Sequence, residues 1–197
     1  MRRVLLAMLL LVGLAACGAD NKWASDDAVS KAAYRHPGPA TLSLFTVISN
    51  RTGGGAHSAL MINGHERVIF DPAGSWAHPR LPERHDVIYG ITDPAVDYYI
   101  DYHARITYHV IRQDIDVSPE FAEMAIRLVE QNGPVPKAHC ASSVGHILRK
   151  LPGFEDAPTG YSPKKIMTYF AGKDGVREEK FYDDDPHLNN TIVATGI

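Results

Sequence analysis

Two residue types in this chain can supply a nucleophile and a base at neutral pH: cysteine, present twice, and histidine, present ten times. Cys140 lies in "PVPKAHCASSVGHILRKLPG" (134–153). Pro134 and Pro136 forbid a helix running in from upstream. Val144, Ile147, Leu148 and Leu151 fall at i, i+3, i+4 and i+7, an apolar helical stripe. Cys140 sits four residues before Val144, on the same stripe. The spacing therefore predicts a helix that opens at Cys140 and turns the thiol toward the domain. Free N–H groups and the dipole at a helix start favour a thiolate, which is the nucleophilic form. The plain alternative is a buried cysteine acting as a small apolar side chain. A nucleophilic cysteine needs a base, and the base needs an orienting partner. His139 points off the cysteine's face, and His146 is nearly two turns along. His57 differs from both: it opens a predicted strand directly after the Gly-rich "RTGGGA" (51–56). That loop lacks the Lys and Ser/Thr of a phosphate-binding P-loop and reads as a loop beside a site.

The orienter of His57 depends on a hairpin. "HSALMI" (57–62) and "RVIFD" (67–71) read as strands joined at Asn63-Gly64. A two-residue turn sets His57 opposite Phe70. A three-residue turn with a bulge sets it opposite Asp71, and one residue of register changes the face. Asp71 can orient an imidazole and Phe70 cannot, so Asp71 is the candidate. Its competing role is that of a turn residue before Pro72.

Other elements frame these residues. Ala40–Asn50 is β-branched and apolar and predicts a strand. Further strands are expected at Asp86–Ile91 and Arg105–Ile115, and a last one at Val176–Tyr182. Pro94–His103 predicts a short helix. Ser118-Pro119-Glu120 and Ser162-Pro163 are helix starts with a capping Ser and Pro at the first helical position. Strands that cluster early, with helices at several points, indicate an α+β domain with a mostly antiparallel sheet.

The N-terminus suggests where the chain works. Met1-Arg2-Arg3 precedes an apolar run from Val4 to Ala16 that is too short to span a bilayer. It ends Leu14-Ala15-Ala16-Cys17, which resembles a bacterial lipobox. That resemblance implies cleavage before Cys17 and lipid groups on its sulfur and amine. Gly18 in place of Asp points to an outer-membrane address facing the periplasm. The expected organisation is a signal peptide (1–16), a lipidated tether (17–39), one domain (40–185) and a loose tail (186–197). Lipidation of Cys17 would leave Cys140 without a disulfide partner. The formal net charge of −3 offers no basic field for nucleic acid. No HExxH and no zinc-spaced Cys pair occurs, so no metal or cofactor is expected.

"GAHSALMINGHERVIFDPAG" resembles the His-bearing hairpin of the NlpC/P60 and papain-like cysteine peptidase superfamily, and "HCASSVGHIL" resembles its Cys helix. The order here, His57 before Cys140, is that of the circularly permuted branch. This branch includes lecithin:retinol acyltransferase-like proteins and bacterial lipoproteins of the YaeF type. The resemblance covers about residues 40–170. It implies a papain-like fold in which the sheet packs on the Cys helix. It implies the set Cys140, His57 and Asp71, with an oxyanion hole using the Cys140 N–H. It also implies a thiol hydrolase or acyltransferase acting on an amide or ester of peptidoglycan or lipid. A catalytically inactive envelope lipoprotein on the same fold, serving as a binding module or scaffold, is the alternative.

Overall fold

The computed structural model describes residue 19 and residues 21–183; the leader, Cys17 and the whole of the expected tail (186–197) lie outside them. Seven strands form one antiparallel sheet: β1 (Thr41–Ser49), β2 (Gly55–Asn63), β3 (Arg67–Phe70), β4 (Glu83–Arg84), β5 (Val87–Ile88), β6 (Tyr108–Asp116) and β7 (Arg177–Phe181). Their spatial order is β4-β5-β3-β2-β1-β6-β7. Five helices accompany them among the described residues: α1 (Asp26–Ala32), α2 (Asp93–His103), α3 (Pro119–Glu130), α4 (Cys140–Leu148) and α5 (Pro163–Ala171). The class is α+β. No helix among the described residues is long and apolar enough to cross a membrane.

The central strands are buried on both faces, which explains why β1 reads as an almost continuous apolar run. Leu42, Leu44, Leu60 and Ile62 face α3, α4 and α5 in one core. Phe45, Val47, Ala59 and Met61 face α2 in a second. The alternation is the two-residue period of a strand. The helix starts follow side-chain chemistry: Ser118 accepts the Phe121 N–H at α3, and Thr92 accepts the Ala95 N–H at α2. Ser162 holds the cap position of α5 without a side-chain capping bond, unlike the expectation for Ser162-Pro163.

Three other expectations change. The strand expected at Asp86–Ile91 is a tight hairpin of two-residue strands, β4 and β5, with His85 and Asp86 at positive φ in its turn. The strand expected from Arg105 begins at Tyr108, because Arg105 and Tyr108 close a turn through reciprocal N–H···O bonds of 2.9 and 2.8 Å. Much of the stretch read as a tether is folded: α1 is capped by Ser25, and Arg84 bonds the Ala24 carbonyl and Asp26.

Candidate active site

The β2–β3 hairpin has neither of the two registers weighed from the sequence. Asn63 pairs with Arg67, so Gly64-His65-Glu66 is the loop. Helix α3 accounts for this. A Cβ on Gly64 would lie 2.8 Å from Ile126 and 2.9 Å from Glu123. His65 donates its backbone N–H to Glu123 (2.7 Å), and the same side chains meet again at 2.6 Å. Tertiary packing therefore overrides the local preference of Asn-Gly. With Leu60 opposite Phe70, one more step sets Asp71 opposite Ala59. His57 is two residues from Ala59 on the same face, a diagonal neighbour within reach of a side chain. The His57–Asp71 contact forms, but diagonally rather than directly across the ladder.

His57 is re-aimed by a bulge. It pairs with Val47, whereas Ile48 pairs with Gly55, so Ala56 is extra. Such bulges tilt a side chain out of the regular pleat. His57 Nε2 lies 2.6 Å from Asp71 Oδ1, and the Tyr99 hydroxyl donates to the same oxygen at 2.7 Å. The Asp71 carboxylate folds over Gly74, where a Cβ would come within 1.8 Å of its Oδ2. Asp71 N–H donates to the Asp86 carbonyl, and Gly74 N–H to the Asp71 carbonyl.

Cys140 opens α4, as its spacing predicted, and is buried at 7 % exposure. His139 occupies the cap position without a capping bond, so no side chain competes for the first-turn N–H groups. Cys140 lies within electrostatic reach of the His57 imidazole and of the backbone N–H groups of Ser58 and Ala141. Ladder pairing between β2 and β3 ends at Leu60–Phe70, which leaves the β3 side of Ser58 open to the sulfur.

These contacts set the charges. Burial pushes the Cys140 thiol up, but its polar interaction with the His57 imidazolium, then the two nearby N–H groups, bring it below the ordinary value. Burial pulls His57 down; the Asp71 carboxylate and then the Cys140 sulfur outweigh this and raise it to about 10. Burial raises Asp71, and His57, His103 and Tyr99 together hold it below the usual carboxylate range. The arrangement favours an imidazolium–thiolate pair backed by a carboxylate.

Sequence reasoning missed two residues. Tyr99 braces Asp71. His103 stacks on His57 with ring centroids 5.6 Å apart and planes 3° from parallel, and its Nδ1 meets the Tyr99 carbonyl at 2.8 Å. Burial keeps His103 below the ordinary histidine value. Their i, i+4 spacing on one predicted helix was the available signal. One ligand atom each from His57, Asp71 and His103 lie within 4.8 Å of one another, a possible metal triad. The 2.6 Å separation of His57 Nε2 and Asp71 Oδ1 is that of a hydrogen bond. A shared tetrahedral zinc would hold these atoms about 3.3 Å apart.

No protein-family model matches this chain, and no curated protein or solved structure is significantly similar to it.

Proposed function

We propose that this protein is a thiol hydrolase or acyltransferase of the permuted NlpC/P60, papain-like type, acting on an amide or ester in the bacterial cell envelope. The observation that carries the reading is the hydrogen-bonded series His57–Asp71–Tyr99 with the buried Cys140 at the helix start beside His57. His57 Nε2 is committed to Asp71, which leaves Nδ1 for the sulfur. His57 takes the Cys140 proton, and the thiolate attacks the carbonyl carbon. The oxyanion forms beside the Cys140 N–H in the first turn of α4. Collapse breaks the bond to the leaving amine or alcohol, which receives the proton from His57. Water or another acceptor, deprotonated by His57, then attacks the acyl-thioester and regenerates the thiol. The lipobox-like Cys17 supports attachment to a membrane facing the periplasm.

The test is incubation with p-nitrophenyl acyl esters and with purified murein, followed by mass spectrometry of the Cys140 peptide. An acyl adduct on Cys140, lost in Cys140→Ser and His57→Ala, is the expected result. Unchanged turnover in either variant would overturn the mechanism. A Cys140 thiol of ordinary acidity that forms no adduct would return the protein to the binding or scaffold reading.

A further inference from the structure

Charge and exposed apolar surface are not spread evenly over this molecule. Strand directions place the ends of β1 and β7 and the starts of β2 and β6 at one end of the sheet, the end where His57 and Cys140 meet. Four segments border that mouth: 49–56, 104–109, 134–139 and 158–165. The first two are joined by Asn50, which bonds the Ile106 carbonyl and the Thr107 carbonyl. Lys164 ties the last to the first by donating to the Gly53 carbonyl at 3.0 Å. The third and fourth meet where the His139 and Tyr161 rings lie 5.1 Å apart.

These four segments contain Arg51, Arg105, Lys137, Lys164 and Lys165 and not one Asp or Glu, in a chain of formal charge −3. They also carry Ile106 (85 % exposed), Tyr161 (68 %) and Tyr108. Among the described residues, the other exposed large apolar side chains are Trp23 and Tyr182, the latter followed by the acidic Asp183. Trp23 packs on His85 in the β4–β5 turn, and Tyr182 stacks on His109. An isolated exposed apolar residue needs no explanation, but a basic rim that interleaves them does. Basic side chains next to aromatic and aliphatic ones are the composition of a surface that lies on anionic lipid. The chain also enters the fold at this end, since His85 N–H donates to the Lys22 carbonyl. Only five chain steps (22 − 17) separate Cys17 from Lys22, a reach of at most about 18 Å.

We infer that the mouth end of the sheet is a membrane-docking face that seats on an anionic phospholipid bilayer and turns the Cys140–His57 site toward it. This deepens the proposed function, and rests on it, only in naming the lipid surface as where the thiol meets its substrate.

The test uses the full chain with Cys17→Ser, which removes the lipid acceptor, and co-sedimentation with vesicles. Residues 1–16 are common to all variants, so differences between variants carry the result. Vesicles of phosphatidylcholine and phosphatidylglycerol in equal parts should bind the protein, and phosphatidylcholine alone much less. Replacing Arg51, Arg105, Lys164 and Lys165 with Gln should weaken binding by roughly tenfold or more. Ile106→Ser with Tyr161→Ser should weaken it several-fold, whereas Lys150→Gln with Lys173→Gln, beyond the far ends of α4 and α5, should not. Circular dichroism confirms that each variant is folded. No loss in the four-cation variant on the mixed vesicles, or no loss in the Ile106/Tyr161 pair, overturns the inference. So does capture by murein sacculi that depends on the cations but not on Ile106 and Tyr161, which would indicate an anionic polymer. Cys140→Ala should bind vesicles like its parent, so failure of the thiol chemistry and failure of the docking face are separable.

Discussion

Tyr99 and His57 both address Asp71 Oδ1, at 2.7 and 2.6 Å. A buried carboxylate with two such donors is held ionised, and an ionised Asp71 is what keeps His57 protonated beside the sulfur. Tyr99→Phe removes one donor and leaves the ring packed. Hydrogen bonds to charged groups contribute about 1.5–3 kcal/mol, so stability should fall within that range. The discriminating readout is iodoacetamide labelling of Cys140 against pH. With Asp71 easier to protonate, the acid limb of the labelling curve should move to higher pH, whereas a Tyr99 that only packs would leave the curve in place. Cys140 and His57 could be picked out in the sequence because each marks the start of an element. Tyr99 and His103 offered only an i, i+4 spacing, which Tyr98 and Tyr102 share in "DYYIDYH", so the spacing could not single them out. Their role appears only when α2 lies across the sheet.

The hairpin shows the same limit at the level of elements. The existence and type of β1, β2, β3, α3 and α4 follow from periodicity and caps. The register of β2 on β3 does not, because Glu123 and Ile126 of α3, sixty residues on, select the three-residue loop. Asp71 is nevertheless the partner of His57 because a diagonal cross-strand contact suffices and Gly74 leaves room for the carboxylate. Gly74→Ala tests that room. Its Cβ would fall 1.8 Å from Asp71 Oδ2, and backbone or carboxylate must shift. Overpacking of this kind costs about 1–3 kcal/mol. The expected outcome is a folded protein, by circular dichroism, whose Cys140 labels at neutral pH as slowly as in His57→Ala. Labelling at the wild-type rate would show that the Asp71 position is not critical.

Across the whole molecule, the buried pair sets a pH window for stability. His57 has a folded pKa of about 10 against 6.5 unfolded, so its contribution is complete below 6.5 and is lost as pH rises toward 10. Asp71 is lowered, so its contribution is present above 3.8 and is lost as pH falls through its folded value. Urea denaturation across pH should therefore show stability declining on the alkaline side of 6.5, and His57→Ala should flatten that decline. An unchanged alkaline limb in His57→Ala would contradict the raised pKa. The clustering of cations and exposed aromatics at one sheet end was not legible in the sequence. The segments that carry them are up to about a hundred residues apart, and only the strand directions bring them together.

The same geometry has a consequence for when the thiol becomes reactive. His57 and Asp71 are 14 residues apart in one hairpin. Cys140 is 83 residues from His57 (140 − 57). Closing the longer loop costs about 1.6 kcal/mol more in chain entropy, and local hairpins form within microseconds. The acid–base pair can assemble early, whereas the sulfur keeps ordinary thiol acidity until α4 docks. Thiolate chemistry at Cys140 is thus a late event of folding, and a partly unfolded chain carries a quiet cysteine.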